Sequence, residues 1–411
     1  MNILYVVPYV PDRIRTRPFN LIRGLSRRGH RVCVATLWTT DWERRSLQAL
    51  ATECAQVEAF HLSRTTAAWN CLRALPGATP LQAAYSAEPR LFQRLDSLLG
   101  QASGRAAFDI VHVEHLRGAE YGRRIRSRLD RLGQATPVIW DSVDCISLLF
   151  RQAAQSSRSW FGRWVTALDL KKTERMEGKL LEEFDRVLVS SSADAKALAA
   201  LASPSAETGR IAVLPNGVDL EAFAPDPDGE EDENLLVMSG KMSYHANVTM
   251  AVHFVREIFP RIRDERPHTR LEIVGKDPTR EVRALAHVPG VQVTGSVPDL
   301  RPHLSRAAVA VAPLPYAVGI QNKVLEAMAC GIPVVASPEA AGGLGARPGV
   351  EILLAADPGA FARSVIRLLQ NRSERRQMGS AGRNFVETHH DWQHITTDLE
   401  TMYHELIRSR N

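Results

Sequence analysis

Short runs of consecutive apolar residues, each followed by a turn and then by a stretch with helical spacing, recur along the whole chain. NILYVVP reads as a buried strand, RPFNLIRGLSRRGH as an amphipathic helix ending at Gly29, and RVCVATL as the next strand. Runs that do not alternate belong to strands covered on both faces, as in parallel sheets. FDIVHVEHL from Phe108, TPVIWDSVD from Thr136 and DRVLVSSS from Asp185 continue the pattern, the last running into a helix capped near Ser192. Residues 151–184 have the composition of a long amphipathic helix. The series then repeats with LLVMSG to Gly240, a helix around 247–263, RLEIVG to Gly275, VQVTG, AVAVAP and IPVVA. This alternation predicts an α/β fold with two doubly wound parallel sheets, one in residues 1–222 and one in 234–390. The acidic, Pro- and Gly-containing stretch 223–233 is expected to be a solvated linker, and 391–411 a final helix.

The stretch AVAVAPLPYAVGIQNKVLEAMACGIPVVAS carries the most chemistry. It reads as strand, glycine-bearing loop, short helix, strand. Asn322 is placed as the N-cap and Gly331 as the left-handed residue past the end, with Pro333 preventing continuation. Gly319 lies just ahead of the helix, where a missing Cβ lets backbone amides approach an anion that the helix dipole also favours. Lys323 adds a positive charge. Val324, Leu325, Ala327 and Met328 cover the core side, which leaves Glu326 for ribose hydroxyls of a bound nucleotide or, alternatively, for solvent.

Composition narrows the setting. The 411 residues are 45% hydrophobic and 24% charged, enough for two cores. The five cysteines are odd in number and widely spaced without a Cys-x-x-Cys, so neither a disulfide framework nor a zinc site is expected. The start carries no secretory signal pattern, and no run of eighteen apolar residues occurs; a cytoplasmic protein is expected. Residues 1–222 hold 30 Lys and Arg against 23 Asp and Glu, so the net charge of +5 is concentrated in the first half. Its basic runs, at 13–31 and 123–131, read either as solvated helix faces or as attraction to anionic lipid or pyrophosphate. No nucleic-acid-reading motif accompanies them, and the first turn, PYVPDRIRTRP, lacks the G-x-G-x-x-G of a dinucleotide site.

The string GIQNKVLEAMA, with the Cys-Gly-Ile-Pro turn after it and the Pro-Asn-Gly-Val-Asp of IAVLPNGVDLEAFAP, resembles glycosyltransferase family 4, also called group 1. Glu326 matches the second glutamate of that family's Glu-x7-Glu element, while Val318 stands at the first. The Gln-Asn-Lys run is similar to a branch associated with bacterial exopolysaccharide clusters. The resemblance implies a GT-B fold, two Rossmann-like domains facing a central cleft, with acceptor on the first and nucleotide-diphosphate sugar of UDP or GDP type on the second. The last helix is then expected to cross back onto the first domain. It further implies a retaining transferase without a protein nucleophile, metal-independent and with no cofactor besides its donor. The acceptor is expected to be a polysaccharide or lipid-linked saccharide, with peripheral contact at an anionic membrane's inner face.

On that resemblance, Gly240, Lys241 and Asn247 of MSGKMSYHAN, Gly275 and Lys276 of IVGKDP, and Gly319, Ile320, Gln321, Asn322, Lys323 and Glu326 bind the donor, with Lys323 and Glu326 acting in catalysis. Lys241 has a surface role as its alternative, and Gly275 with Lys276 a tight turn. Glu114, His115 and Arg117 follow a strand and are expected to face the acceptor, as is Asp141; Arg13, Arg15 and Arg17 line its entrance. Asp144 stands near a position where relatives carry a catalytic-domain histidine, and is assigned with His115 to catalysis or, for Asp144, to a helix cap. Two other functions fit the missing first glutamate or the architecture: a catalytically weak nucleotide-sugar-binding subunit of an assembly complex, and a nucleotide-sugar 2-epimerase.

Overall fold

The computed structural model describes every residue except 13–14, 101–105, 157–159, 204–207, 227–228, 318 and 411, with backbone alone for 153–156, 160–168 and 208. The chain divides into two compact units, Met1–Pro215 with Trp392–Asn411, and Asn216–Asp391.

In the first unit, β1 (Asn2–Val7), β2 (Arg31–Trp38), β3 (Gln56–His61), β4 (Ile110–Glu114), β5 (Val138–Val143), β6 (Arg186–Val189) and β7 (Ile211–Val213) form one sheet in the order β3-β2-β1-β4-β5-β6-β7. Every pairing is parallel. β1 and β4 are buried almost throughout, because helices cover both faces. One face packs Leu4, Val6, Val113, Trp140 and Phe184; the other packs Ile3, Tyr5, Leu21 and Leu25. The second face is completed by the last helix, Trp392–Arg410, through Ile395, Leu399 and Tyr403.

In the second unit, β8 (Asp232–Ser239), β9 (Arg270–Val274), β10 (Val291–Gly295), β11 (Ala307–Ala312), β12 (Val334–Ala336) and β13 (Leu353–Leu354) run parallel in the order β10-β9-β8-β11-β12-β13. Both sheets reverse their winding once, between β1 and β4 and between β8 and β11. Such switch points open a crevice at the carboxyl ends of the strands.

Several local expectations are corrected. The serine cap expected near Ser192 is Ser191, which accepts from the Asp194 amide ahead of the helix Ser192–Ala199. The helix Asn322–Ala329 starts one residue earlier than expected: Gln321 has the extended backbone of a cap, and Asn322 is already helical. The long helical region is helical over Ile146–Ser156 and Trp160–Glu183, on either side of residues 157–159, which lie outside the described residues. Nor is the acidic linker purely solvated. The units part at Pro215, β8 begins at Asp232, and Glu231 accepts a 2.6 Å hydrogen bond from the buried Arg375.

Candidate functional site

At the second switch point, three turns meet. Gly240 follows β8 and Gly275 follows β9, with φ of +149° and +157°, a region that only glycine occupies without strain. A Cβ on Gly275 would lie 1.7 Å from the Gly240 carbonyl oxygen, so the two turns touch backbone to backbone. A Cβ on Gly240 would lie 2.8 Å from Asn247 Nδ2 and 3.3 Å from Lys323 Cε. Gly240, Asn247, Gly275 and Lys323, spread over 84 positions of sequence, are therefore neighbours. Asn247 is buried and its Nδ2 donates to the Lys241 carbonyl at 3.0 Å, while its Oδ1 accepts from no protein donor among the described residues.

Lys323 and Glu326 sit one turn apart on the helix that begins beside this junction. Lys323 Nζ donates to Gln321 Oε1 at 3.2 Å, and Lys323 lines a crevice with Ser239, Ala310 and Ala312 at the ends of β8 and β11. Burial lowers the Lys323 ammonium to about 8, with the Glu326 charge opposing. Burial raises the Glu326 carboxyl to about 7, with Lys323 opposing. Gly319, at φ +64°, turns the chain toward this helix, and Ile320 is buried beneath it. A half-buried cation and a half-buried carboxylate with so few protein partners are suited to a ligand that brings its own oxygens. Lys241, expected to contact phosphate, has an exposed side chain; its carbonyl rather than its ammonium holds the turn. The Lys276 carbonyl likewise accepts from the Met242 amide. Val318 lies outside the described residues.

The sequence reading missed one pair here. His245 Nδ1 and Tyr316 Oη are 2.6 Å apart with stacked rings, which ties the start of the helix His245–His253 to the loop after β11. Nothing in the local sequence pairs two residues 71 apart.

At the first switch point, the acidic residues are engaged by the protein itself. Glu114 and Asp141 are fully buried. Tyr5 and Tyr9 donate to the two Glu114 oxygens at 2.7 and 2.6 Å. Arg17 Nε donates to Asp141 Oδ2 at 2.9 Å, the Val143 amide donates to Oδ1 at 3.0 Å, and His112 Nε2 lies 3.5 Å from Oδ2. The other side of Arg17 holds the carbonyls of Leu214 and Pro215. Burial raises Glu114 to about 7, with the Asp141 charge adding to it. Burial would raise Asp141 as well, but Arg17 and His112 outweigh it and hold the carboxyl below the usual range. The expectation that Glu114, Asp141 and Arg17 present themselves to an acceptor is corrected: Arg17 and Asp141 pair with each other, and both Glu114 oxygens accept from tyrosines of the same unit. His112, Glu114 and Asp141 have ligand atoms within 4.8 Å of one another, yet Arg17 and the tyrosines already occupy that donor set.

His115 and Asp144 flank this cluster. His115 has φ +66°, and its Nδ1 accepts from the Arg117 amide at 3.2 Å. Burial, reinforced by Arg117, lowers its pKa to about 3, so the ring is neutral at ordinary pH. Asp144 is half-buried, accepts from Ser190 Oγ at 3.0 Å, and is raised to about 7 by burial and by the Asp194 charge. Arg117 stacks over Tyr85, and Arg15 pairs with Glu43 at 2.7 Å. Arg13 lies outside the described residues. The missed residues are Tyr5, Tyr9, His112 and Tyr403, the last meeting His112 Nδ1 at 2.7 Å. Tyrosines inside an apolar strand were the available signal, since a buried hydroxyl needs a partner.

The basic run at 123–131 is also largely paired: Arg123 with Glu183 and Glu120, Arg124 with Asp96, and Arg126 with Asp185. No helix among the described residues is long and apolar enough to cross a membrane.

Two family profiles match the chain: "Glycosyl transferases group 1" over residues 233–371 and "Glycosyl transferase 4-like domain" over residues 14–217. Among solved structures, a sucrose-phosphate synthase from Thermosynechococcus elongatus is similar with a TM-score of 0.70, at 17% identity and 100% of both chains. HepE from Anabaena, in complex with UDP and glucose, gives 0.66 at 13% identity, covering 98% of this chain and 100% of that one. An α,α-trehalose-phosphate synthase (UDP-forming) from Burkholderia vietnamiensis gives 0.67 at 14% identity, with 99% of each chain covered. The fold shared with these proteins is GT-B, two Rossmann-like domains. No curated protein sequence matches the chain.

Proposed function

Because this chain belongs to the group 1 glycosyltransferases and is a transferase enzyme, we propose that its second unit binds a nucleotide-diphosphate sugar at the junction of Gly240, Gly275 and the helix Asn322–Ala329. The observation that carries this reading is the pair Lys323 and Glu326, charged groups at a switch point with few protein partners. Lys323 and the 319–322 backbone neutralise the charge that builds on the departing diphosphate, and Glu326 accepts from the ribose hydroxyls. Lys323 is the cation at the diphosphate, and transfer is metal-independent on this reading because the sequence offers no Asp-x-Asp outside the linker's DPD at 226–228. A uridine donor is favoured, since the Anabaena neighbour was crystallised with UDP and with UDP-glucose.

The acceptor, a polysaccharide or lipid-linked saccharide at the cytoplasmic face of a membrane, is taken up by the first unit. Asp144, near 7, is poised to take a proton from its hydroxyl. His115 is neutral and serves as a hydrogen-bonding group, not as an acid. The sugar is transferred with retention of configuration, a reading that rests on the resemblance to family 4, with attack and departure sharing one face and no protein nucleophile.

Thermal shift with UDP-, GDP- and ADP-sugars tests the donor site. A donor present at about 100 times its Kd stabilises the fold by about 2.7 kcal/mol. Lys323→Ala and Glu326→Ala should each remove most of that shift, and both should abolish slow donor hydrolysis. A chain that no nucleotide sugar stabilises, or variants that respond as the parent does, would overturn the proposal. Tight binding without turnover on any acceptor would instead support a nucleotide-sugar-binding subunit.

A further inference from the structure

The helix Arg64–Ala74 follows β3, the edge strand of the first sheet, and has two unlike faces. Inward, Ala67 and Ala74 are buried and Asn70 Nδ2 donates to the Ala87 carbonyl at 2.8 Å. Lys172 Nζ donates to the carbonyls of Ala74 and Leu75 at 3.1 and 2.8 Å, which fixes the end of the helix. Outward, Trp69 is 58% exposed, Leu72 55% and Leu75 56%. Of the eight exposed large apolar residues among those described, these three fall within seven positions, which separates them from the scattered apolar surface of any soluble protein.

We propose that this face and the turn after it dock on an anionic lipid bilayer. Residues 59–87 contain no Asp or Glu, and the exposed Arg64 and Arg73 form no ion pair among the described residues. That contrasts with the basic run at 123–131, where Arg123, Arg124 and Arg126 pair with acids. The three apolar side chains offer roughly 300 Å², well below the roughly 800 Å² per partner of a stable protein interface. A second copy on a twofold axis would also bring like charges together. A bilayer needs only a shallow apolar wedge and basic neighbours, and tryptophan suits its interface. In a parallel sheet the strands end on one side, so this helix starts at the same rim as Glu114 and Asp144. The purpose of the contact, reaching a lipid-linked acceptor, rests on the proposed transferase function; the contact itself does not.

Co-sedimentation of the full chain with vesicles of phosphatidylcholine, alone or mixed with phosphatidylglycerol, reads it directly. The parent chain should partition onto the mixed vesicles. Trp69→Ser with Leu72→Ser should lower that partitioning about tenfold or more, and Arg64→Gln with Arg73→Gln should lower it on mixed vesicles only. Arg123→Gln with Arg124→Gln should leave it unchanged. No vesicle binding by the parent, or binding indifferent to the Trp69 and Leu72 changes, overturns the proposal. So does a dimer that those changes abolish, because a second copy then covers the face. The donor-induced thermal shift, measured on the same preparations, shows that the variants are folded. Its loss in the parent would sink the transferase reading while leaving vesicle binding to stand or fall separately.

Discussion

At the first sheet's crossover all four oxygens of Glu114 and Asp141 meet a protein donor, whereas at the second sheet's crossover Glu326 meets none among the described residues and Lys323 only an amide oxygen. Both places are buried charge at a switch point of a parallel sheet. The difference lies in who answers the charge. Where the chain supplies its own donors, as for Glu114 and Asp141, the carboxylate is part of the framework even though burial raises Glu114 to about 7; where it supplies none among the described residues, as for Glu326, the oxygens are left for an external partner. Topology marks where a ligand can sit, and hydrogen-bond accounting separates the site that is filled from the one that is open.

The largest test of that contrast is Arg17→Met. It leaves Asp141 buried without its cation, and unfolding by denaturant should show a loss of about 3–5 kcal/mol. Any surviving folded protein should still give the donor-induced thermal shift. A loss below 1 kcal/mol, roughly the worth of an exposed pair, would make the cluster incidental. Next comes Gly275→Ala. The added Cβ would strike the Gly240 carbonyl, so a cost of about 2–3 kcal/mol in stability is expected, with donor affinity lowered as Asn247 and Lys323 shift. The smallest effect is on pH. Glu326, near 7, must lose its proton to hold ribose, so nucleoside diphosphate affinity should fall about tenfold as pH drops from about 7.5 to about 6. It should fall again above about 8, where Lys323 loses its charge. Calorimetric titration checks both limbs. Glu326→Gln should erase the acid limb alone, and a flat profile would show that neither group touches the ligand.

The donor helix was legible because its evidence is local. Val324, Leu325, Ala327 and Met328 face inward as their spacing requires, and Gly331 has the positive φ that ends the helix. The acceptor side was not legible in the same way. Whether a strand-end carboxylate such as Asp141 faces a ligand depends on Arg17, 124 positions away, and the neighbouring His112 is fixed by Tyr403, 291 positions away. No window of sequence holds both partners. β3 escaped notice for a milder reason: QVEAFH is an edge strand of half-buried positions and lacks the apolar run that marked its neighbours. Asn322 lost the cap position to Gln321 by a single residue, at a helix end whose cap residue makes no side-chain hydrogen bond to the first helical amides.

The return of the helix Trp392–Arg410 to the first unit sets an order of assembly. Its buried Leu399 and Tyr403 are translated only after the whole of Asn216–Asp391 has been synthesised, roughly 10–35 s later at ordinary elongation rates. Until then the nascent first unit exposes the apolar face around Leu21 and Leu25, and His112 waits for its hydroxyl partner. The unit made first is thus the one finished last, and chaperone demand during synthesis should fall on that uncovered face.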